Sequence, residues 1–329
     1  AWTTSTFAPR SRASSIAHRS AASPWADPST PTVYSAGDVG TISATWTDPN
    51  GDIYQLSNTS DEQGWFTTYG IAGWGATPFE YVADAAAHGG EIVRFVRSNP
   101  SRITWPMHVW GDTHLQFIQR YRQLRRAFMM TAHRGEPGWL TVYRPDGSAR
   151  KISAFYEDGL AGEAGQMNIS ASPVLTLYCP DGAWIDVEET VVTRQYASGP
   201  ANFFSPFLSI TNSSVLGLTD LDNSGDLPAW PSWTVAGPMT SLVASNLTTS
   251  QAFTLTQTLT LGQSVTITTD PRRPTVRDGA DHNIIGSINW PSATLWGLTT
   301  GINSVNFAVT GAGAGTSIRL AYSPRYEGC

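Results

Sequence analysis

Lysine is almost absent from this chain of 329 residues, because only Lys151 among its 20 basic residues is a lysine. The formal net charge is −6 and the sequence pI is about 5.5. A chain of this charge has no general attraction for nucleic acid or for acidic membranes, so neither is an expected binding partner. The preference for arginine, with abundant alanine and glycine, indicates a GC-rich genome and favours an actinobacterial setting.

Cysteines and long apolar runs are also scarce. The two cysteines, Cys179 and Cys329, form no Cys-x-x-Cys pattern, which argues against a disulfide framework or a metal cage and favours a reducing compartment. No segment approaches the roughly 20 consecutive apolar residues of a membrane-spanning helix, and residues 1–20 lack the apolar run of a signal peptide. We therefore expect a soluble protein without an export signal and without a membrane partner.

The length of the chain predicts more than one domain, because it exceeds one ordinary core and fits two domains of about 150 residues each plus an extension. Residues 1–37 are the expected extension, an N-terminal arm rich in Ala, Ser, Thr, Pro and Arg with no apolar period of 2 or 3.6. We expect this arm to become ordered only in an assembly. Residues 38–183 and 184–329 are expected to form two β-rich domains.

Residues 111–135 are the one stretch whose pattern is typical of an amphipathic helix. Asp112 or Thr113 is predicted to cap its first turn, and Gly135 is predicted to end its last turn. The predicted apolar arc comprises Phe117, Ile118, Tyr121, Leu124, Phe128 and Met129, and the opposite polar arc comprises Gln116, Gln119, Arg120, Gln123 and Arg126. The helix is expected to cover the open side of a sheet.

Arg125 lies inside the predicted apolar arc, with Arg122 and Arg126 close to it. Either its stem carries the charge to the edge of the arc, or its guanidinium meets a carboxylate across a contact. Three neighbouring cations repel one another, and carboxylates of a partner would relieve that repulsion. Arg122, Arg125 and Arg126 are therefore candidates for a subunit interface, whereas Arg120 is expected to point toward the polar side.

Strand and turn patterns fill the rest of the first half. The turn from Asp48 to Gly51 separates two alternating runs and predicts a hairpin, and the turn from Pro145 to Gly147 predicts another. Pro106 lies inside a further strand and argues for a sheet edge or a bulge there. These patterns predict a sheet-rich domain with one helix.

A turn at residues 180–182 places the domain boundary near residue 183. Beyond it, residues 232–283 and 293–323 alternate apolar with Ser or Thr side chains over short runs, with turns spaced by about 8 to 12 residues. This pattern predicts a β-sandwich that needs no helix.

Two short patterns resemble metal sites. His108, Asp112 and His114 offer suitable ligand types, but their spacing places them on different elements, a strand and the first helical turn. Residues 220–226 imitate the start of a calcium loop, yet the twelfth position is Pro231 where a bidentate Glu is needed. We therefore expect no metal site and no cofactor.

Catalytic motifs are missing as well, since no GxSxG, HExxH, P-loop or GxGxxG pattern occurs. Six carboxylates are candidates for the acid pair of a glycoside hydrolase: Glu80, Asp84, Glu157, Glu163, Glu188 and Glu189. No motif positions two of them together, and tryptophans such as Trp105 and Trp139 are expected to pack in the core and not to stack on sugars. We predict no catalytic residue and no enzyme activity.

The order of these features resembles the distal tail protein family of long-tailed, non-contractile bacteriophages, the siphoviruses. In the first half the resemblance rests on GIAGWG, on SRITWPMHVWG leading into the helix, on GWLTVYRPDGSARKISAFYEDGLAG and on LYCPDGAW. In the second half it rests on LDNSGDLPAWPSWTVAGPMT, TLTLGQSVTITTDPRRPTVRDG and LTTGINSVNFAVTGAGAGTSIRLAYSPRYEG. The chain departs from the family in its long N-terminal arm and in PDGAW, where many relatives have Asp-Pro-Tyr-Trp.

The resemblance implies a mainly β fold. Residues 38–183 would form a belt domain, a β-sandwich with one α-helix and a long hairpin, and residues 184–329 a galectin-like β-sandwich. It implies a structural virion protein at the distal end of the tail, made in the host cytoplasm, in which a homohexameric ring joins the tail tube protein to the tail hub and to receptor-binding or side-fibre proteins.

In such a ring the tape measure and DNA would pass through the lumen, and the negative charge predicts no specific DNA binding. The alternative reading is a carbohydrate-binding protein that attaches to glycans of the host cell wall.

Overall fold

The computed structural model describes residues 43–57, 63–162, 168–196 and 217–329. The predicted N-terminal arm, residues 1–37, and Glu163 lie outside these ranges. In the described ranges the chain is mainly β, with one α-helix and one short 3-10 helix among many strands, which confirms the expected fold class. No helix in these ranges is long and apolar enough to cross a membrane.

Strands of the first half form a ten-stranded antiparallel sheet and a separate hairpin. The strands are β1 (Ser43–Thr47), β2 (Ile53–Gln55), β3 (Trp65–Thr67), β4 (Phe79–Ala85), β5 (Glu91–Ser98), β6 (Ser101–Trp110), β7 (Gly138–Tyr143), β8 (Ala149–Asp158), β9 (Ser170–Ala171), β10 (Val174–Cys179) and β11 (Trp184–Asp186). The order in the large sheet is β2-β1-β7-β8-β10-β6-β3, with β9 paired to β6 and β11 paired to β8. Strands β4 and β5 pair only with each other in the described chain.

Helix α1 spans His114–Arg134 and packs on strands β6 and β8. The Thr113 hydroxyl caps its start by accepting the Gln116 backbone N–H at 3.2 Å, and Gly135 ends it with a left-handed φ of 66°. Both ends therefore agree with the sequence prediction. The indole of Trp46 stacks on Phe128 with ring centroids 4.6 Å apart, which attaches the middle of the helix to strand β1.

The buried arc of the helix differs from the predicted one. Its buried residues are Phe117, Leu124, Ala127, Phe128 and Thr131, whereas Ile118 is 45% exposed. Ile118 is six residues from Leu124 and therefore lies about 120° around the helix from the centre of the contact. The helix meets the sheet through a narrower arc than its apolar residues define, so the prediction that Ile118 is covered is wrong.

Two turn predictions are confirmed. The Asp48 carboxylate accepts the backbone N–H groups of Asn50 at 2.8 Å and Asp52 at 3.0 Å, and Gly51 takes the positive φ of 92° that the turn between β1 and β2 requires. The Asp146 carboxylate accepts the backbone N–H of Ser148 at 2.9 Å in the turn between β7 and β8. Side chains that bond to the nearby backbone make such turns readable from sequence.

Pro106 is not on an edge strand, because β6 lies between β10 and β3. The missing N–H of Pro106 does not interrupt the sheet. On the β3 side of β6, Thr67 pairs with Met107 and Ala72 pairs with Thr104. Residues 68–71 loop out between these two pairs, beside the proline. The expected irregularity is therefore on the neighbouring strand.

Of the two tryptophans expected in the core, Trp105 is fully buried and Trp139 is not. Trp139 is on the face of β7 opposite to that of Leu140, where the Lys151 ammonium lies 5.1 Å from its ring centre. The prediction for Trp139 is wrong because alternation along a strand does not state which face the helix covers.

Strands of the second half form the predicted sandwich. They are β12 (Thr190–Gln195), β13 (Gly217–Asn223), β14 (Ser232–Ala236), β15 (Met239–Asn246), β16 (Gln251–Leu259), β17 (Ser264–Thr268), β18 (Thr275–Asp278), β19 (Gly301–Thr310) and β20 (Ser317–Tyr322), with a short 3-10 helix at Ile285–Ser287. A five-stranded sheet has the order β12-β20-β14-β17-β18, and a four-stranded sheet has the order β13-β19-β15-β16.

The two sheets of the sandwich share one apolar core. Trp233 lies at its centre and meets Phe253, Trp296 and Phe307 edge to face, with ring centroids 5.6, 5.1 and 5.3 Å away. This is a favoured geometry for aromatic pairs, because the positive ring edge meets the negative ring face.

The chain returns to the first half at its last strand. Strand β21 (Arg325–Tyr326) pairs with β11 and thereby joins the ten-stranded sheet. The division of the chain near residue 183 remains a prediction, and β11 begins at Trp184, immediately after that position.

Candidate functional site

The carboxylates considered for glycoside hydrolysis are mostly engaged with arginine. Glu80 pairs with Arg97, Asp84 with Arg94, Glu157 with Arg102, and Glu189 with Arg319. The hydrogen bonds from Arg102 lower the pKa of Glu157, whereas an acid catalyst needs a raised pKa. Glu188 is exposed and Glu163 lies outside the described residues. The described carboxylates form no acid pair suited to that chemistry.

The residues considered as metal ligands have other partners. Nδ1 of His108 lies 2.9 Å from the Ser172 hydroxyl, and Nδ1 of His114 lies 2.5 Å from the Asn168 carbonyl oxygen. Asp112 is exposed. Across the described ranges, no three His, Cys, Asp or Glu side chains converge as a metal site would require.

The hairpin of β4 and β5 is the most exposed element of the first half. Every residue of β5 is exposed, and the ribbon carries the large apolar side chains Phe79, Tyr81, Ile92, Val93, Phe95 and Val96, which are 44% to 65% exposed. Cross-strand ion pairs, Arg97 with Glu80 and Arg94 with Asp84, connect its strands. A contiguous apolar ribbon of this kind marks an interaction surface, because an isolated two-stranded hairpin is marginally stable in water.

Sequence reasoning did not locate this hairpin. The signal was present in residues 86–90, where Gly89 and Gly90 both take positive φ values of 93° and 81°. Ala86 closes the turn, because its N–H donates to Gly90 at 3.0 Å and its carbonyl accepts from Gly89 at 3.0 Å. A glycine pair between two apolar runs is a recognised hairpin pattern.

The exposed side of α1 forms a second candidate surface, here named the helix flank: Leu115, Ile118, Arg122, Arg125 and Arg126. Leu115 is 65% exposed, and the three arginines are exposed too. No ion pair between described residues includes any of these arginines, and the helix itself contains no Asp or Glu. Arg125 thus extends into solvent, and its pairing with a partner carboxylate remains a prediction.

Arg120 does not lie on a free polar side as expected. Its guanidinium donates to the Trp110 carbonyl oxygen at 3.0 Å and lies 5.9 Å from the centre of a Trp110 ring. The same side chain crosses Gly64, where a Cβ would overlap it. Arg120 therefore packs the helix against strand β6, because a guanidinium can stack and donate at once.

An ionic cluster joins the two halves of the chain. One carboxylate oxygen of Asp181 accepts from Arg325 at 2.8 Å and lies 2.5 Å from a guanidinium nitrogen of Arg272. Arg272 also makes two hydrogen bonds to Asp270, at 2.7 and 3.0 Å. These bonds lower the pKa of Asp270 and raise that of Arg272. Asp181, on the turn after β10, thus holds arginines from two segments of the second half.

The outer side of the four-stranded sheet carries a third surface, here named the acidic face: Leu218, Asp220, Asp222 and Ile302. Leu218 is 62% exposed and Ile302 is 68% exposed. Asp222 is directly opposite Ile302 in the pairing of β13 with β19, and the Asp220 carboxylate accepts the Ser304 hydroxyl at 2.6 Å. The segment that imitates a calcium loop is therefore mostly a strand.

Comparison with known proteins gives a structural match only. No model of a protein family matches the sequence, and no curated protein matches it. The fold, however, is similar to those of solved proteins of phage tails. It is similar to the Dit protein (gp 19.1) of phage SPP1, described as a paradigm of the hub adsorption apparatus in phages that infect Gram-positive hosts, with a TM-score of 0.59 and 13% identity. The match covers 86% of this chain and 98% of that chain.

The fold is also similar to that of a chain in the phage p2 baseplate in its activated conformation. Structures with strontium and with calcium give TM-scores of 0.51 and 0.52, each at 11% identity. Each match covers 86% of this chain and 98% of the baseplate chain. The resemblance that the sequence segments indicated is thus confirmed at the level of the fold.

Proposed function

We propose that this chain is a structural protein of the distal tail of a long-tailed phage, where it forms a hexameric ring that connects the tail tube to the tail hub and receptor-binding proteins. The carrying observation is the fold shared with SPP1 Dit across 98% of that chain. The exposed hairpin adds a physical reason, because its apolar side chains need a neighbour to cover them.

A ring is the assembly that fits these surfaces. The hairpin and the helix flank are different patches on one chain, and a contact in which either of them meets a different patch of the neighbouring copy is head to tail. Repeating a head-to-tail contact by rotation closes a ring when the angle permits. In this proposal the hairpin contacts the neighbouring copy, and Arg122, Arg125 and Arg126 add polar contacts to the subunit interface.

The ring is proposed to act without catalysis and without specific DNA binding. The net charge of −6 for each chain opposes phosphate contacts, so tape measure and DNA would pass the lumen freely. Purified protein is expected to show no turnover of peptidoglycan or arabinogalactan fragments above buffer. A reproducible turnover would contradict the proposal.

Sugar binding is not favoured by the second half of the chain. Four of its described aromatic rings, Trp233, Trp296, Phe253 and Phe307, are buried against one another and present no stacking platform. Trp290 is 49% exposed, and its ring N–H is engaged by the Ile285 carbonyl oxygen at 3.1 Å. The full chain is expected to show no binding above background on a glycan array.

The direct test measures the mass of the assembly that the full chain forms in solution and images its shape by negative-stain electron microscopy. Native mass spectrometry should detect six copies, and negative-stain images should show a ring with a central hole. Ile92→Glu in the hairpin should shift the protein toward monomers, because a carboxylate would enter the apolar contact. Ile53→Glu is the matched control, since Ile53 is 67% exposed on β2 and Ile92 is 59% exposed. A wild-type chain that stays monomeric at every concentration would contradict the ring.

A further inference from the structure

We propose that the helix flank of one copy docks on the acidic face of the neighbouring copy, so that the arginines of α1 pair with Asp220 and Asp222 across the ring contact. This inference rests on the proposed ring and names two surfaces that meet in it. Both surfaces consist of described residues, and their charge, spacing and apolar content match.

The helix flank needs an external source of negative charge. Arg122, Arg125 and Arg126 lie on one exposed side of a helix that contains no acidic residue, so no pairing between neighbouring helical turns can relieve their repulsion. No ion pair within the described chain engages them. Carboxylates on another copy would neutralise these three charges.

The acidic face supplies carboxylates at a matching interval. Asp220 and Asp222 alternate with buried residues on β13, so both project from the same exposed side of the strand. Two residues along a strand span about 6.8 Å. Arg122 and Arg126 are four residues apart and span about 6 Å along the helix axis. A helix lying along this strand brings two guanidinium groups level with two carboxylates.

Apolar side chains accompany the charges on both surfaces. Leu115 and Ile118 lie one or two turns before the arginines, and Leu218 and Ile302 lie beside the aspartates. Contact between these four side chains would remove exposed apolar surface and exclude water from the ion pairs. Pairs that are shielded from water discriminate between partners more strongly than exposed pairs do.

Several other carboxylates are less suited to this role. Glu80, Asp84, Glu157 and Glu189 already pair with arginines of their own chain. Glu188 is exposed and lies between β11 and β12. The carboxylate two residues before it, Asp186, already accepts the Tyr326 hydroxyl at 2.9 Å. Asp220 and Asp222 share one exposed face, and neither forms an ion pair within the described chain.

Charge reversal with rescue tests the contact. Arg122→Glu alone and Asp220→Arg alone should each lower the association constant between neighbouring copies by roughly 100-fold, as expected for a broken shielded pair. The double variant Arg122→Glu with Asp220→Arg should recover at least a tenth of wild-type association, because the pair is restored with its signs exchanged. Arg273→Glu, at an exposed arginine in the loop between β17 and β18, serves as control and should leave association unchanged.

Hexamer yield by native mass spectrometry and thermal unfolding of each variant are the two readouts. The contact is supported if single variants lose hexamer, the double variant regains it, and all four proteins unfold at the wild-type temperature. If both single variants form hexamers at the wild-type yield, the proposed contact is wrong, while the proposed ring stands. Loss in the single variants without recovery in the double variant also overturns the pairing. A monomeric wild-type chain overturns the ring and this contact together.

Discussion

Arg150 lies over the ring of Tyr326, with its guanidinium carbon 3.4 Å from the ring centroid. The two residues are on β8, in the first half of the chain, and on β21, its last strand. Arg150 also donates to the Gly328 carbonyl oxygen at 2.6 Å, and the Tyr326 hydroxyl donates to the Asp186 carboxylate at 2.9 Å. These contacts attach the last strand to the first sheet, so the second half is fastened to the first at both of its ends.

Replacing Arg150 should loosen this attachment. We expect Arg150→Ala to lower the free energy of unfolding by about 2 to 4 kcal/mol, combining a cation–π contact and a hydrogen bond from a charged donor. Arg150→Lys should recover little of this loss, because an ammonium cannot stack on the ring and reach the carbonyl with the same planar group. Urea unfolding monitored by fluorescence measures both changes.

Lys151→Ala is the neighbouring control for Arg150. Lys151 follows Arg150 on β8, and its ammonium lies 5.1 Å from the centre of the Trp139 ring on β7. We expect it to cost less than about 1 kcal/mol, as for an exposed cation–π contact. Equal losses for the two alanine variants would contradict the role given to Arg150.

Acid should weaken the ionic cluster through Asp270. Hydrogen bonds from Arg272 lower the pKa of the Asp270 carboxyl below its ordinary value of 3.8. Because the unfolded chain then binds this proton more readily than the folded chain, the contribution to stability is present above pH 3.8 and is lost as pH falls through the lower folded value. Asp270→Asn should therefore reduce the acid-induced loss of stability between pH 4 and pH 2.

Unfolding free energies at a series of pH values from about 7 down to 2, covering the titration range of carboxyl groups, check this expectation. Arg272→Gln should reduce the same acid dependence, because it removes the largest cause of the pKa shift. If both variants keep the full wild-type slope below pH 4, the attribution to this pair is wrong.

Trp46 should be the residue on which attachment of the helix depends most. It is fully buried, stacks on Phe128, and donates its ring N–H to the Ala127 carbonyl oxygen at 3.2 Å. Trp46→Ala should cost about 3 to 5 kcal/mol, as large core truncations do. Trp46→Phe should cost less, because an aromatic ring still faces Phe128. Trp139→Ala, at a partly buried position outside this core, should lower the free energy of unfolding the least. An equal loss for Trp139→Ala and Trp46→Ala would contradict the role given to Trp46.

Gly159 should tolerate no side chain. Its φ is 112°, and a Cβ would come within 2.0 Å of the Val174 carbonyl oxygen. Gly147 has a φ of 87° with no atom within 4 Å of a Cβ, so it isolates the backbone strain from the steric overlap. Gly147→Ala should cost about 1 kcal/mol, and Gly159→Ala at least 2 kcal/mol more. Thermal unfolding of both variants measures the difference, and similar melting temperatures would refute it.

Several local features of this protein were determined by the sequence itself. The turn at Asp48 depends on a side chain that bonds to backbone groups two and four residues away, and the helix ends depend on Thr113 and Gly135. Each interaction is complete within a few residues, so a short stretch of sequence contains all the partners. The alternation of residues 232–283 and 293–323 likewise predicted strands in the second half, and the order of segments indicated the family of folds.

The tertiary structure decided which sides of these elements are covered. Ile118 is apolar and exposed, while Arg120 is charged and packed over Trp110. Helical periodicity shows which residues share one side of the helix. Which side the sheet covers depends on strands that are distant in sequence. The same reason explains Trp139, whose strand alternates correctly while the covered face is set by α1.

The candidate surfaces depended on sequence and fold to different degrees. The sequence singled out Arg122, Arg125 and Arg126 because a cluster of cations on a helix is visible in one dimension. The exposure of the hairpin, the acidic face and the contact of Arg150 with Tyr326 required the folded chain. Whether a surface is exposed or covered depends on segments that lie far apart along the chain. Bringing such segments together is opposed by chain entropy, so it is stabilised only by the packing of the complete fold.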